Sequence, residues 1–510
     1  MMRTANRFPV MGHLTALAFL LAWSPHARMV AGEESRVRQA PLKLEPTERG
    51  IGRSLEDVAF LTLDGDLQRL LPPQAPKVTV VAITSTSCPL SKKYLPTLQS
   101  IAANFASQNV RFLLINPVAA DRVDRMRTAA AEFGNTATYV FDKSQVVAKN
   151  VRATTTTDVV VFDSSGVVRY QGAIDDQHGL GYSREQPTVH YLQTALNGVL
   201  AGEAFECVAT TAPGCTLAFQ VKHTDHNEQA VNYHNSIGQL IADRCVHCHR
   251  DGGVGPFSLT SHDDIVAHAS MIRNVVLRRV MPPWFAAQVD GDDGSPWLND
   301  CSLSENEIKS LVSWIDNDMP KGDDSKPITA PEFPDGWSIG TPDAVYAFDK
   351  AVPIKASGIM PYKNVIVDTD QDADRWVQAI EIRPGAPAVV HHVIVSVLPP
   401  KSGWFGFGRE STGDSEADGY WGAYVPGMSK IVFPEGYGRR LPKGSRLKFQ
   451  MHYTPHGQAM TDQTRIGLRF CERTPDYEVK VSGLANGRFR IPPHADNHKV
   501  QSSIRLPFDA

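Results

Sequence analysis

The pattern of apolar residues changes twice along this 510-residue chain, and that change constrains the fold more than any other feature. Residues 46–205 alternate short Val/Ile-rich runs with longer helix-like runs, which predicts a domain with an α/β sheet. From about residue 335 onward, helical periodicity disappears. Short Val/Ile/Phe runs separated by Pro and Gly then predict an all-β sandwich. A chain of this length is expected to form about three domains.

Between these two zones, residues 228–325 have mostly helical patterns. In "SENEIKSLVSWIDNDM", Ser304 is the expected N-cap of a helix, and Glu307 stands three residues later to complete a capping box. The polar, Pro-rich stretch 323–336 predicts the boundary between this helical zone and the β zone.

The amino-terminal segment predicts export from the cytoplasm. Two arginines precede an apolar core from about Leu14 to Trp23, and small residues follow, which is the layout of a secretory signal peptide over residues 1–31. An uncleaved membrane anchor is the alternative. No later stretch reaches the roughly 18 apolar residues that a membrane span needs. We therefore expect the mature protein to act in the periplasm or cell envelope, an oxidising compartment.

The composition argues against two classes of protein. The net charge is −4 and no long basic run occurs, so nothing indicates a nucleic-acid-binding protein. Seven cysteines in a chain of this length do not make a disulfide scaffold.

The strongest motif is "RCVHCHR", in which Cys245, Cys248 and His249 form a Cys-x-x-Cys-His sequence. This spacing is the attachment motif of c-type haem: the two thiols bond covalently to the haem, and the histidine coordinates the iron. A zinc site or a redox cysteine pair is the alternative, but zinc usually needs two further nearby ligands and none is obvious here. The motif therefore predicts one haem c, whose attachment outside the cytoplasm agrees with export.

The second axial ligand of the haem iron is predicted to be Met281, in the irregular segment "RRVMPPWF". Met319 and Met271 are rival ligands, and ordinary core packing is the alternative role for Met281. Together with "DGGVGPFSL" and "LVSWIDNDMPKG", this region resembles the small cytochrome c domains of multidomain exported bacterial proteins.

Near the start of the α/β zone, "VTVVAITSTSCPLSKKYLP" puts Cys88 directly after a strand and before a helix. A thiol at a helix N-terminus lies in the positive end of the helix dipole, which lowers its pKa. The segment resembles the thioredoxin and peroxiredoxin-like (redoxin) superfamily over about residues 50–200. The resemblance implies a thioredoxin-like fold and a redox role for Cys88.

Three positions depart from the redoxin pattern. Ser91 stands where a second cysteine would complete a Cys-x-x-Cys pair, so dithiol exchange within that motif is excluded. Thr157 stands where the family usually has a cis-proline, and Ser85 replaces the threonine that peroxidase chemistry would use. A reactive Cys88 and a structural or partner-binding redoxin fold both remain open at this point.

Two more cysteines, Cys207 and Cys215, lie in the Pro/Gly loop "ECVATTAPGC" that follows this domain. In an exported chain we expect them to form a disulfide. Cys301 and Cys471 are given no role.

The β zone contains adjacent histidines in "PAVVHHVIVSVL", His391 and His392, and a third, His452, in "LKFQMHYTPHG". With their surroundings they resemble the copper type II, ascorbate-dependent monooxygenases, whose first jelly-roll domain has a His-His pair on one strand and a later His in a Q-x-H-Y strand. The resemblance implies copper held by these three imidazoles, which suit that metal. Neighbouring side chains on a strand point to opposite faces, so a shared metal requires a bulge or strong twist. Two core histidines plus an unrelated third are the alternative.

The monooxygenases of that family have a second domain, which supplies the oxygen-activating copper through a His-x-His pair and a Met. After residue 480 this sequence offers only His494 and His498, and its one His-x-His, His247 and His249, lies inside the haem motif. We therefore expect either a fragment or a version without the catalytic copper, which resembles the electron-supplying half of a hydroxylase.

The sequence thus predicts an exported, multidomain oxidoreductase. Its expected parts are the signal peptide, a thioredoxin-like domain at 46–205, a mostly α cytochrome c domain at 228–325 and an all-β jelly roll at 338–510. Electrons are expected to pass from haem to copper, with a redox partner or small reductant and a second copper domain or subunit as partners. Two alternatives are an electron-transfer cytochrome without monooxygenase activity and a β binding module on a haem scaffold.

Overall fold

The computed structural model describes residues 40–219, 231–284, 286, 297, 300–324, 327–333, 336–400, 420–481, 483–484, 486–493, 495, 498–503 and 505. The predicted signal peptide 1–31 and His494 lie outside the described residues. None of the helices in the described residues combines the length and apolar character needed to cross a membrane.

The amino-terminal α/β domain is built on the elements of residues 40–219. The strands are β1 (Ala59–Leu61), β2 (Leu67–Arg69), β3 (Val78–Ile83), β4 (Val110–Asn116), β5 (Thr138–Phe141), β6 (Val159–Asp163), β7 (Val168–Gly172), β8 (His178–Gly179) and β9 (Tyr182–Ser183). The α-helices are α1 (Pro89–Phe105), α2 (Val123–Ala131), α3 (Val146–Asn150) and α4 (Tyr191–Ala201), and the 3-10 turns are Pro46–Arg49 and Ala106–Gln108.

A five-stranded sheet in the order β5-β4-β3-β6-β7 forms the centre of this domain. Strands β3, β4 and β5 are parallel, whereas β6 and β7 run antiparallel to their neighbours. Every residue of β3 is buried, because helices and loops cover both faces of the sheet. Alternate residues enter two different cores: Val80 packs with residues of α1 and α4, and Val81 packs with residues of α3. The predicted α/β fold is confirmed here.

The helical region contains α5 (Gly238–Arg244), α6 (His262–Leu277) and α7 (Glu305–Asp316), with a π-helical turn at Tyr233–Ile237. The three helices share one hydrophobic core, in which Trp314 of α7 is fully buried. The capping box predicted at the start of α7 is present, since the Ser304 Oγ accepts from the Glu307 backbone N–H and the Glu307 carboxylate accepts from the Ser304 N–H. A cytochrome c fold for this region stays a prediction.

The carboxy-terminal region is rich in β-strands. The strands are β10 (Ala344–Ala347), β11 (Val352–Ile354), β12 (Lys363–Asp368), β13 (Arg375–Arg383), β14 (Val390–Leu398), β15 (Gly422–Tyr424), β16 (Lys430–Val432), β17 (Tyr437–Leu441), β18 (Arg446–Tyr453), β19 (Met460–Asp462), β20 (Arg465–Phe470) and β21 (Tyr477–Glu478). One sheet has the order β10-β20-β13-β17-β21 with β16 beside β13, and a second has the order β12-β18-β14-β15. Buried residues of both sheets form one core, whereas a jelly-roll topology stays a prediction.

The three parts of the chain contact one another. His268 of α6 lies against Ser87 in the α/β domain, and the turn at Gly427 approaches Cys248. Gly457 packs against the backbone of α1 so closely that an added Cβ would lie 1.9 Å from the Lys92 carbonyl oxygen. Residues 37–510 accordingly form a single compact unit.

Candidate redox and metal sites

His391, His392 and His452 are brought together by two paired strands. His392 of β14 lies directly opposite His452 of β18 in the antiparallel register. The register shifts between Val390 and His392, so the strand has the bulge that two adjacent histidines need in order to reach one point. The core-facing residues next to them, Val393 and Met451, are fully buried. The alternation of the strands therefore puts the histidines on the face away from the core.

The three imidazole rings are close enough to share one metal ion. One nitrogen from each ring lies within 4.8 Å of the others, and the Nδ1 atoms of His391 and His392 are 3.1 Å apart. The ring centre of His452 is 4.8 Å from that of His391 and 4.9 Å from that of His392. Tyr362 packs beside this cluster, 5.0 Å from the His452 ring centre. Three convergent imidazoles form a donor set that copper and other borderline metals accept.

The surroundings favour the neutral, metal-binding form of His392 and His452. Burial and the neighbouring His391 lower the pKa of His452, and burial with both neighbouring rings lowers the pKa of His392. Neutral imidazole has the free lone pair that a metal ligand requires. The Nδ1 atom of His452 is buried and makes no hydrogen bond to any described residue. An unpaired buried nitrogen beside two further imidazoles fits a metal ligand better than a satisfied core histidine.

The Cys-x-x-Cys-His motif begins where α5 ends. Cys245 is the C-cap of that helix, and the His249 N–H donates to the Cys245 carbonyl at 2.9 Å, which turns the histidine back over the motif. The Nδ1 of His249 lies 3.1 Å from the Phe257 carbonyl oxygen. Because a carbonyl can only accept, Nδ1 carries the proton, and Nε2 keeps the lone pair that an iron ligand needs. The ring thus has the tautomer and orientation that fit haem ligation.

The predicted sixth ligand is less well defined by the structure. Met281 follows α6 and is 40 % exposed, whereas Met319 packs beside the core of the helical region. Met271 lines the cavity at Cys88. The axial role of Met281 stays a prediction, as does the attachment of haem to Cys245 and Cys248. Burial raises the pKa of Cys245 to about 12.

Cys88 is the N-cap residue of α1 and is almost fully buried. Its backbone N–H donates to the Ser85 Oγ at 3.2 Å, and the Ser85 hydroxyl donates in turn to the Asp121 carboxylate at 2.8 Å. The hydroxyl at the position of the peroxidase threonine is therefore engaged with Asp121. The loop that precedes α1 also contacts the helical region, because the Ser87 Oγ lies 3.3 Å from the Nε2 of His268 in α6.

The environment of the Cys88 sulfur favours the thiolate. Burial by itself raises the pKa of Cys88, but hydrogen bonds from the Cys215 thiol, the Thr156 hydroxyl and the Ser91 backbone outweigh it. The net effect lowers the pKa of Cys88 to about 6. The position at the N-terminus of a 17-residue helix acts in the same direction.

In the structure, the sulfurs of Cys207 and Cys215 are free and not bonded to each other, and the disulfide expected between them stays a prediction. Their segment extends across the α/β domain: Ala209 bridges to Gln171, and Thr216 bridges to Thr155. These pairings hold Cys215 beside Cys88, whereas the Cys207 Sγ lies 3.7 Å from the Ala209 carbonyl oxygen. The Pro/Gly composition of the loop indicated a turn, but the backbone pairs with the domain instead.

Several residues of these sites were missed by the sequence analysis. Cys215 and His268 come from segments distant in sequence from Cys88, and no local pattern connects them with it. Tyr362 precedes β12, which pairs with β18, so its place beside His452 depends on the sheet order. The signal for Cys215 in the sequence was its cysteine identity in a chain predicted to be exported.

The Cys-x-x-Cys-His segment also contacts the sheet that carries the three histidines. In that sheet, β15 pairs with β14, and Tyr424 lies opposite Val393, the residue after His392. Burial and the neighbouring Cys248 raise the pKa of Tyr424 to about 12. In the turn after β15, a Cβ added to Gly427 would lie 3.3 Å from the Cys248 Sγ. The Cys-x-x-Cys-His segment therefore lies against the strand that neighbours the histidine strand.

Comparison with known proteins identifies one part of the chain. Residues 52–186 match the Redoxin family, so the α/β domain is a thioredoxin-like redoxin domain, as the sequence predicted. No curated protein matches the chain.

Among solved structures, an uncharacterized conserved protein from Geobacillus kaustophilus is 24% identical, with 37% of this chain and 100% of that chain covered and a TM-score of 0.31. A thioredoxin-like protein from Aeropyrum pernix is 16% identical over 28% of this chain and 89% of that chain, with a TM-score of 0.24. StoA from Bacillus subtilis is 18% identical over 23% of this chain and 87% of that chain, with a TM-score of 0.21.

Proposed function

We propose that this chain is an exported redox protein that transfers electrons between a c-type haem and a copper ion. Cys245, Cys248 and His249 would hold the haem, and His391, His392 and His452 would hold the copper. The protein would act as the electron-supplying part of a copper-dependent monooxygenase system, with the oxygen-activating copper on a second domain or subunit. The redoxin domain adds a thiol site to the same molecule.

The observation that carries the proposal is the convergence of the three imidazoles across a bulged strand pair. A chance arrangement of strand histidines would alternate between faces and would not bring three ring nitrogens within 4.8 Å. Copper held by such imidazoles supplies one-electron chemistry, and the bound haem supplies the same. Within this chain, the histidines position the metal, and Tyr362 shields one side of the cluster.

Contact between the two sites supports electron transfer. The turn at Gly427 packs against Cys248, and the strand before it pairs with the strand that carries His391 and His392. The haem-attachment segment and the histidine sheet thus belong to one packed structure, without a flexible linker at this contact. Such packing keeps the two segments close to each other, which favours electron transfer within the molecule.

An anaerobic oxidation experiment tests this function. The haem of the purified, exported protein is reduced, the reductant is removed, and one equivalent of copper(II) is added while the haem absorption is followed. We expect fast haem oxidation in the wild type and in the control His498→Ala, because exposed His498 lies outside the cluster. His452→Ala removes one ligand, so oxidation should slow by about tenfold or more, as for loss of a metal ligand or its support.

Equal rates in the wild type and in His452→Ala would contradict the proposal, because they would mean that copper reacts with the haem from solution. No haem oxidation in either protein would also contradict it, provided that both proteins contain haem. The amount of haem in each sample is measured first, so that loss of haem cannot be mistaken for loss of electron transfer.

A further inference from the structure

The redoxin domain has no Cys-x-x-Cys pair, because Ser91 occupies the second position. A second thiol nevertheless reaches the active loop from outside the motif. Cys88 and Cys215 line the same cavity beneath α6, and the Cys215 thiol is the neighbour that most strongly lowers the pKa of Cys88. Two hydrogen bonds to Thr156 hold Cys215 in place. The Cys215 N–H donates to the Thr156 Oγ1, and the Thr156 N–H donates to the Cys215 carbonyl, each at 3.0 Å.

The two sulfurs are chemically unequal. The pKa of Cys88 is lowered to about 6, whereas the hydrogen bond to Cys88, followed by burial, raises the pKa of Cys215 well above its ordinary value. At neutral pH, one sulfur is therefore a thiolate and its neighbour a thiol. This asymmetry is what an attacking and a resolving cysteine need, since only the thiolate is nucleophilic.

We propose that Cys88 and Cys215 form a reversible dithiol–disulfide couple, with Cys88 as the attacking sulfur and Cys215 as the resolving sulfur. The couple exchanges with low-molecular-weight disulfides. Helix α6 covers the cavity through Ala267, His268 and Met271, and the cavity measures only about 10 Å³, so even a small disulfide reaches Cys88 only when α6 moves aside. This narrow access excludes a folded protein substrate. The inference concerns the redoxin domain alone and does not depend on haem or copper.

The exchange takes two steps and moves two electrons. The Cys88 thiolate attacks one sulfur of the small disulfide, its S–S bond breaks, and the first leaving thiolate takes a proton from solvent. Cys88 is then joined to the other half of the small disulfide as a mixed disulfide. The Cys215 thiol loses its proton, its sulfur attacks the Cys88 Sγ, the S–S bond of the mixed disulfide breaks, and the second small thiol leaves with that proton. The small disulfide is reduced to two thiols, and the two protein sulfurs are oxidised to one disulfide.

The surroundings of the pair are suited to this exchange. Thr156 contacts both residues, so it keeps the resolving sulfur in place while its hydroxyl stabilises the thiolate. Gly214, which precedes Cys215, has a φ of +154°, and a Cβ there would lie 3.1 Å from the Thr156 Oγ1. The absence of a side chain at this position lets the second cysteine approach the loop.

The test is a redox titration of the full-length protein. The reduced protein is equilibrated without oxygen in mixtures of hydroxyethyl disulfide and mercaptoethanol, quenched with acid, alkylated, and mapped by mass spectrometry of its non-reduced peptides. We expect a Cys88–Cys215 linkage whose fraction rises with the disulfide-to-thiol ratio and reverses when mercaptoethanol is restored. In Cys215→Ser, the small thiol should stay attached to Cys88 as a mixed disulfide, because nothing resolves it.

Cys207→Ser serves as the matched control and should leave the Cys88–Cys215 linkage unchanged. A linkage between Cys207 and Cys215 in the wild type would overturn the proposal, and so would full alkylation of both Cys88 and Cys215 at every ratio. The wild-type peptide map decides the matter without any substitution, so a variant that fails to fold does not affect the result.

Discussion

At the scale of single residues, the hydrogen bonds around Cys88 have a larger effect than its burial. A buried thiol in apolar surroundings normally stays protonated, because the charged form loses its hydration. Here the Cys215 thiol, the Thr156 hydroxyl and the Ser91 backbone all favour the thiolate. The neighbouring Thr157 has a buried Oγ1 without a hydrogen-bond partner among the described residues. Two adjacent threonines therefore differ in their effect on the same sulfur.

The pH dependence of Cys88 alkylation tests this difference. In the reduced protein, the alkylation rate should fall as the pH drops through about 6, because the thiolate becomes protonated below its pKa. Thr156→Val removes a hydrogen bond to the charged form and should raise the midpoint by about one pH unit. Thr157→Val, the matched control, should leave the midpoint unchanged. Cys215, which faces the same sulfur, has a raised pKa and stays protonated over this range.

A midpoint near 9.0, the ordinary value for a cysteine, would contradict the hydrogen-bond account. Equal shifts of the alkylation midpoint in the two threonine variants would also contradict it, because of the two threonines only Thr156 lowers the pKa of Cys88. The positive charge of Lys92 also faces Cys88, but burial lowers the pKa of Lys92. The measurement is therefore made at constant ionic strength, which keeps the screening of this charge fixed.

At the scale of elements, helix α6 connects the helical region to the redoxin site. Its first turn is fixed by a capping box, in which the Ser261 Oγ accepts from the Asp264 N–H at 3.1 Å and the Asp264 carboxylate accepts from the Ser261 N–H at 3.2 Å. One turn later, the His268 Nδ1 donates to the Asp264 carbonyl at 2.8 Å, so its Nε2 can accept from the Ser87 hydroxyl. The cap thus positions the residue that covers the cavity.

Ser261→Ala should therefore loosen this cover. Loss of the cap lowers the free energy of unfolding by about 1 kcal/mol. If the first turn of α6 frays, the alkylation rate of Cys88 should rise by about fivefold, the factor that corresponds to this free energy. Ser304→Ala removes the equivalent capping box of α7. It should lower the free energy of unfolding by a similar amount and leave the alkylation rate of Cys88 unchanged. Urea denaturation and timed alkylation check both variants, and equal Cys88 rates in the two would contradict the role of α6.

Local sequence patterns predicted some features of these elements, and contacts between distant segments were not predictable. The capping box of Ser304 was predictable because all of its bonds are local. The bulge between Val390 and His392 followed from the need of adjacent histidines to share a face. The pairing of Cys215 with Cys88 was not predictable, because it depends on the bridge between Thr155 and Thr216, a contact between distant segments. The loop composition alone pointed to Cys207 as the partner of Cys215.

At the scale of the whole molecule, the described residues form four hydrophobic cores, two of them in the redoxin domain, and these are packed into one unit. The redoxin site is covered by the helical region, and the helical region contacts the histidine sheet at Gly427. The β region contacts the redoxin domain at two places. Gly457 packs against α1, and the Lys355 ammonium pairs with the Glu185 carboxylate at 2.7 Å. The thiol pair, the Cys-x-x-Cys-His segment and the three histidines thus lie on neighbouring parts of one structure. The sequence predicted an α/β region and a later β-rich region, but the contacts between the regions required the structure.

The most direct test of the central claim is the copper and iron content of the purified, exported protein, measured beside His452→Ala and His498→Ala. We predict equal amounts of copper and haem iron in the wild type and in His498→Ala, and iron without copper in His452→Ala. Haem iron without copper in the wild type, or copper retained by His452→Ala, would contradict a copper site at His391, His392 and His452.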